Sequence, residues 1–154
     1  MKHHIATSCV PLLLATWAVC AQAQTTVTDA WVRGVVAQQK ATGLFAKISS
    51  VKGGRLVAVS SPAAAMAEIH EMRWVGEVMQ MRELSDGLAL PAGKPIELKP
   101  GGVHVMLMGL KQPLKTGDTV VLTLVVEGVD KKRENVEVKA VVRALGEAGA
   151  APKH

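Results

Sequence analysis

Apolar and polar positions alternate with a period of two through most of this chain, in short runs broken by Gly, Pro, Asp and Ser. That alternation is the signature of half-buried strands, whose side chains point to opposite faces in turn. The pattern predicts strands over 27–36, 42–51, 55–60, 68–75, 78–84, 88–91, 95–98, 103–110, 119–127 and 135–142. Turn signals separate them at Lys52-Gly53-Gly54, Gly76-Glu77, Ser85-Asp86-Gly87, Pro91-Ala92-Gly93, Lys99-Pro100-Gly101-Gly102 and the charged stretch 128–133. The segment 63–67 is too short to read as a helix. Val121-Leu122-Thr123-Leu124-Val125-Val126 is nearly continuous in apolar residues, as a strand buried in a core would be. Many short strands at this spacing indicate an all-β protein, an antiparallel β-sandwich of the Greek-key kind or a barrel.

The ends read differently. Met1-Lys2-His3-His4 is a short basic segment, followed by an apolar run centred on 10–19 that closes on Ala21-Gln22-Ala23. This is the pattern of a secretory signal peptide cut after Ala23. The run is short for a membrane span and carries Ser8 and Thr16, so no span is expected after cleavage. Cys20 near the cut raises a lipoprotein alternative, which Trp17-Ala18-Val19 fits poorly. The expected organisation is a cleaved leader over 1–23, one sandwich domain over 24–145 and a disordered tail over 146–154.

Composition then removes several function classes. Cys9 and Cys20 both leave with the leader, so the mature chain has no disulfide, thiolate ligand or cysteine nucleophile. Cleavage takes only Lys2 from the counted charges, and +5 becomes +4. Basic residues are interspersed with acids, and only Trp31, Phe45 and Trp74 remain as aromatics. A nucleic-acid surface of clustered cations and stacking aromatics is not present in such a sequence.

The chemistry concentrates in two segments. Apart from the leader pair and His154, the only histidines are His70 and His104, and each opens a His-x-Met triplet: His70-Glu71-Met72 and His104-Val105-Met106. Met66, Met79, Met81 and Met108 flank them. A methionine stripe on a strand is ordinarily core packing. Thioether and imidazole together, however, form a soft ligand set that favours Cu(I) over hard cations. Period two places His70 with Met72, Met79 with Met81, and His104 with Met106 and Met108, so that three strand-end segments could meet across an end of the sandwich. A metal site without thiols also suits an oxidising compartment, because thioethers cannot close into a disulfide.

Asp29-Ala30-Trp31-Val32-Arg33, Ala67-Glu68-Ile69-His70-Glu71-Met72, Val78-Met79-Gln80-Met81-Arg82, Leu90-Pro91-Ala92-Gly93, Leu98-Lys99-Pro100-Gly101-Gly102 and His104-Val105-Met106-Leu107-Met108-Gly109-Leu110 together resemble the periplasmic copper chaperones of the PCuAC type. The resemblance covers residues 27 to 143. Ten residues separate His70 from Met81 and twenty-two separate Met81 from His104, the latter one more than the family's usual spacing. It implies a cupredoxin-like β-sandwich binding one Cu(I) through His70, Met81, His104 and Met106. It also implies delivery of that copper to cytochrome c oxidase subunit II or to a copper-assembly protein on that route. Met72, Met79 and Met108 fall outside the implied ligands, Met79 being the nearest rival to Met81. Some members carry a His/Met-rich tail; here the tail offers only His154.

Two other readings compete. A blue-copper electron carrier needs a cysteine ligand that the mature chain lacks. A secreted β-sandwich that binds another protein without metal remains compatible with the fold class, which hosts many functions. Catalysis is not expected, since the candidate bases His70 and His104 are both claimed by the metal site.

Overall fold

A computed structural model describes residues 24–144 and 146. The expected leader over 1–23 and almost all of the tail, His154 included, lie outside the described residues. Ten strands follow in chain order: β1 (Thr25–Arg33), β2 (Ala41–Ser50), β3 (Gly54–Ser60), β4 (Ala64–Val75), β5 (Val78–Glu83), β6 (Leu88–Leu90), β7 (Ile96–Leu98), β8 (Val103–Leu110), β9 (Thr119–Gly128) and β10 (Arg133–Arg143). None of the described residues is helical. Segment 63–67, too short for a helix in the sequence reading, largely forms the start of β4. Its alanines extend the ladder opposite β8.

The strands join in the order β5-β4-β8-β2-β1-β10-β9-β3-β6, with β7 also pairing β2. On the edge away from β1, strand β2 serves two partners: its first half pairs with β8 and its second half with β7. Core side chains come from both ends of this order. Leu44, Ile48, Ile69, Val105 and Leu107 belong to the β4-β8-β2 part, and Leu56, Leu122, Leu124, Val126, Val138 and Val142 to the β10-β9-β3 part. Their single cluster is the interior of a cupredoxin-like sandwich. Leu122 and Leu124 alternate along β9 with less buried neighbours, so the run that looked continuously apolar has one core face.

The pairing departs from a wholly antiparallel sheet at one ladder. Strand β1 runs parallel to β10, with Trp31 opposite Val141 and Arg33 opposite Arg143. Parallel pairing requires a long connection. Here it spans nearly the whole domain, a relation that turn signals between neighbouring strands cannot reveal.

Candidate metal centre

Strand β4 has β5 on one side and β8 on the other, and the register fixes which side chains face each other. His70 stands opposite His104, Glu68 opposite Met106 and Met66 opposite Met108. Across the other edge Met72 faces Met81, and Trp74 faces Met79. Directly opposed residues project to the same face of a sheet. Both histidines and all six methionines of the described residues therefore lie on one face of three adjacent strands. The opposite face of the same strands carries Ile69, Val105 and Leu107 into the core.

Among the described residues no methionine is buried. Met66, Met79 and Met81 are exposed, and Met72, Met106 and Met108 are intermediate. Core packing, the ordinary use of methionine, thus does not explain them. Nor do the groups meet across a sandwich end, as period two alone suggested. They are neighbours within one sheet, because β4 lies between β5 and β8.

The two imidazoles have matching hydrogen-bond patterns. His104 is 7% exposed. Its Nδ1 donates to the Gly102 carbonyl at 3.0 Å, which leaves Nε2 with the lone pair. His70 Nε2 donates to Glu68 Oε2 at 2.9 Å, and its Nδ1 is buried without a partner. Metal-ligating histidines characteristically donate one ring N–H to a carbonyl or carboxylate and keep the other nitrogen free. The ring centres are 6.1 Å apart, at 71°. With a metal–nitrogen distance of about 2 Å, two rings sharing one ion have centres roughly 5–6 Å apart. The 6.1 Å separation of the two ring centres falls at the upper end of that range.

Burial pushes the His104 imidazole below its ordinary range. The Gly102 carbonyl opposes that shift, and the nearby His70 and Arg33 add to it. A histidine held neutral is ready to ligate. Behind His104 stands an aromatic wall: the Phe45 ring lies 6.2 Å away and Trp31 stacks on Phe45 at 4.4 Å. Trp31 is a buried residue of β1. Trp74 is 63% exposed near the tip of the β4–β5 hairpin.

An open cleft of about 310 Å³ is lined by Met72, Met81, His104 and Met106, with Arg33, Gly43 and Phe45 among its other walls. It gathers three of the four residues singled out by resemblance. His70 does not line it, and joins through its ring contact with His104. Among the described residues no three His, Cys, Asp or Glu side chains group to hold an ion.

The roles of three residues were not legible in the sequence. Met72, named there in its His-x-Met triplet with Met79 as the nearest rival to Met81, faces Met81 directly and lines the same cleft, which Met79 does not. Glu68, two residues before His70 and on its face, orients that ring. Arg33 brings a cation over the Phe45 ring at 5.4 Å, its Nε buried and unpaired. The two-residue turn Gly76-Glu77 carried the signal for Met72, since a tight hairpin there dictates the Met72–Met81 pairing.

The "Putative lipoprotein LpqE-like" family matches residues 25–142. The chain belongs to the LpqE-like family. Among solved structures, this LpqE-like chain is similar to the "Apo PCuAC domain from PmoF1", with 26% identity and a TM-score of 0.64 over 79% of this chain and 95% of that one. It is also similar to "CuI-DR1885 from Deinococcus radiodurans", a solution structure, with 31% identity and a TM-score of 0.60 over 80% and 81% of the two chains. The family is thus of the PCuAC type, as the sequence motifs indicated. A further relative, "Putative lipoprotein Lxx21020" of Leifsonia xyli subsp. xyli, is 36% identical over 100 residues. The match spans 64% of the LpqE-like chain and 59% of that relative's length.

Proposed function

We propose that this protein is an exported Cu(I) carrier that binds one ion through His70, Met81, His104 and Met106 and surrenders it to another protein. The observation that carries this reading is the single sheet face. It holds two imidazoles, each with one nitrogen engaged and one free, among methionines of which none is buried. Similarity to a structure named for its bound Cu(I) supports the choice of metal. Soft thioethers with neutral imidazoles discriminate against the hard cations of the cell exterior.

The geometry also suits release. Met81 is 51% exposed on edge strand β5, and Met72 stands opposite as a substitute donor. An incoming ligand can therefore enter from the solvent side and displace one thioether at a time. Export rests on the leader pattern and on the lipoprotein descriptions of the relatives. The compartment we assign is the periplasm. The acceptor we assign is the copper site of cytochrome c oxidase subunit II or one of its assembly proteins. The protein acts as a carrier rather than an enzyme, since its two candidate bases serve the metal.

An anaerobic Cu(I) titration against a chromophoric chelator tests the site. One tightly held Cu(I) is expected, lost in His70→Ala/Met81→Ala; failure to compete with the chelator overturns the reading. Incubating the loaded protein with the soluble domain of subunit II tests delivery, and no transfer there withdraws that acceptor. One observation favours a metal-free protein-interaction module instead. Trp74, Val75 and Val78 expose 63%, 53% and 60% of their surface at one hairpin tip. A partner bound there equally well with and without copper would support that alternative.

A further inference from the structure

Beyond His70 and His104 the soft face continues in the direction away from Met81. The next row pairs Glu68 with Met106, and the row after it pairs Met66 with Met108. Successive rows on one face are two residues, about 6.7 Å, apart. The position on β2 that pairs with Met108 is small, Ala41, while the Phe45 ring lies over Gly43, the partner of Met106. Met66 is 56% exposed and so open to solvent. The Glu68 carboxylate lies on the same face between this row and the histidines, and it adds negative charge where a cation would travel.

We propose that Met66 and Met108 form a second, thioether-only station for a soft monovalent cation, linked to the histidine site through Met106. The inference goes beyond the carrier reading and shares only Met106 with it. Directly opposed side chains on an antiparallel ladder have Cβ atoms about 5 Å apart. Long, flexible methionines at that separation can turn both sulfurs onto one ion between them. Two thioethers suffice for a soft monovalent ion that accepts low coordination numbers, and they bind it more weakly than a mixed His/Met set. The station is therefore a place of arrival or departure. An ion held by Met66 and Met108 gains Met106, then loses the outer pair as the imidazoles take over, and it is never without a sulfur ligand.

The test is a titration of the protein with Ag(I) alone, followed through the methionine methyl groups by carbon-13 labelling and NMR. Two steps are expected. Met81 and Met106 methyls shift during the first equivalent, and Met66 and Met108 methyls shift only during the second. In Met66→Leu/Met108→Leu the second step disappears while the first is retained; both positions are at least partly exposed, and an unchanged melting temperature confirms the fold. In His70→Ala/Met81→Ala the Met66 and Met108 shifts persist. Saturation at one equivalent without movement of Met66 and Met108 overturns the proposal, as does a second equivalent that survives in Met66→Leu/Met108→Leu. If the wild type shows the Met66 and Met108 step alone, this station stands and the His/Met ligand set of the carrier falls.

Discussion

Removing the Glu68 carboxylate should weaken Cu(I) binding although Glu68 is not among the assigned ligands. Its Oε2 accepts from His70 Nε2 at 2.9 Å, and the two side chains are 31% and 12% exposed. That bond fixes the ring so that Nδ1 keeps the lone pair. Losing the orienting partner of a metal-bound histidine costs about 10–100-fold in affinity, or roughly 1.4–2.7 kcal/mol. Glu68 is close to one-third exposed, which places Glu68→Ala near the lower bound, about tenfold. Glu68→Gln keeps an acceptor oxygen but loses the charge, and about half of that free energy, roughly threefold in affinity, should go. Chelator competition under anaerobic conditions measures both. Repeating Glu68→Ala in a His70→Ala background closes a double-mutant cycle in which the Glu68 effect should vanish. An equal loss in both backgrounds would refute the argument, because Glu68 would then act without His70. A gain in affinity would refute it more directly, since Glu68 would be competing with copper for Nε2 rather than preparing Nδ1.

Four further outcomes follow from the same geometry. The folded-state pKa of His104 lies below its ordinary 6.5. Between those values the unfolded chain takes up a proton that the folded one refuses, so this contribution to stability is complete above 6.5 and is lost as the pH falls below it. Urea midpoints at pH 7.5 and 5 should differ less in His104→Gln than in wild type, and an unchanged difference would contradict the assignment. Cu(I) affinity should weaken over the same acid range, because only imidazoles among the ligands compete with protons, and chelator competition at both pH values checks it. Met81→Leu should lower affinity at least tenfold and Met72→Leu only a few-fold, on the scale of one lost donor against one lost substitute; the reverse order in the same assay would move the ligand to β4. Leu107 is fully buried on the core face of β8, back to back with Met106 and Met108. Leu107→Ala should cost about 2–5 kcal/mol in urea denaturation, while the folded fraction still binds Cu(I).

Most strands were legible because each carries its own evidence. Val103 to Leu110 was read with the bounds it has, since alternation and the Lys99–Gly102 turn mark it locally. The faces of His70, Met81 and His104 were legible for the same reason. Which strands lie side by side was not. Period two states that His70 and His104 each share a face with a methionine, but only the β4–β8 ladder places the two rings 6.1 Å apart. That ladder joins segments more than thirty residues apart and is chosen by the packing of Ile69, Val105 and Leu107 underneath. Glu68 went unnoticed because a carboxylate on a half-exposed strand looks like a solvated position until its partner is known. The β1–β10 ladder was missed on similar grounds, being the longest-range pairing in the sheet.

That ladder has a consequence for when the protein can become functional. Strand β10 is the last to leave the ribosome or the export channel, yet it lies between β1 and β9 in the sheet. Until it arrives, the order divides into β5-β4-β8-β2-β1 and β9-β3-β6, two fragments with the core faces of both uncovered. Closing so distant a contact is slow, since the chain entropy is lost before the packing is gained. The methionine face therefore acquires a rigid backing only once β10 has closed the sheet. On the export proposed above, metal loading is expected to follow that closure in the destination compartment.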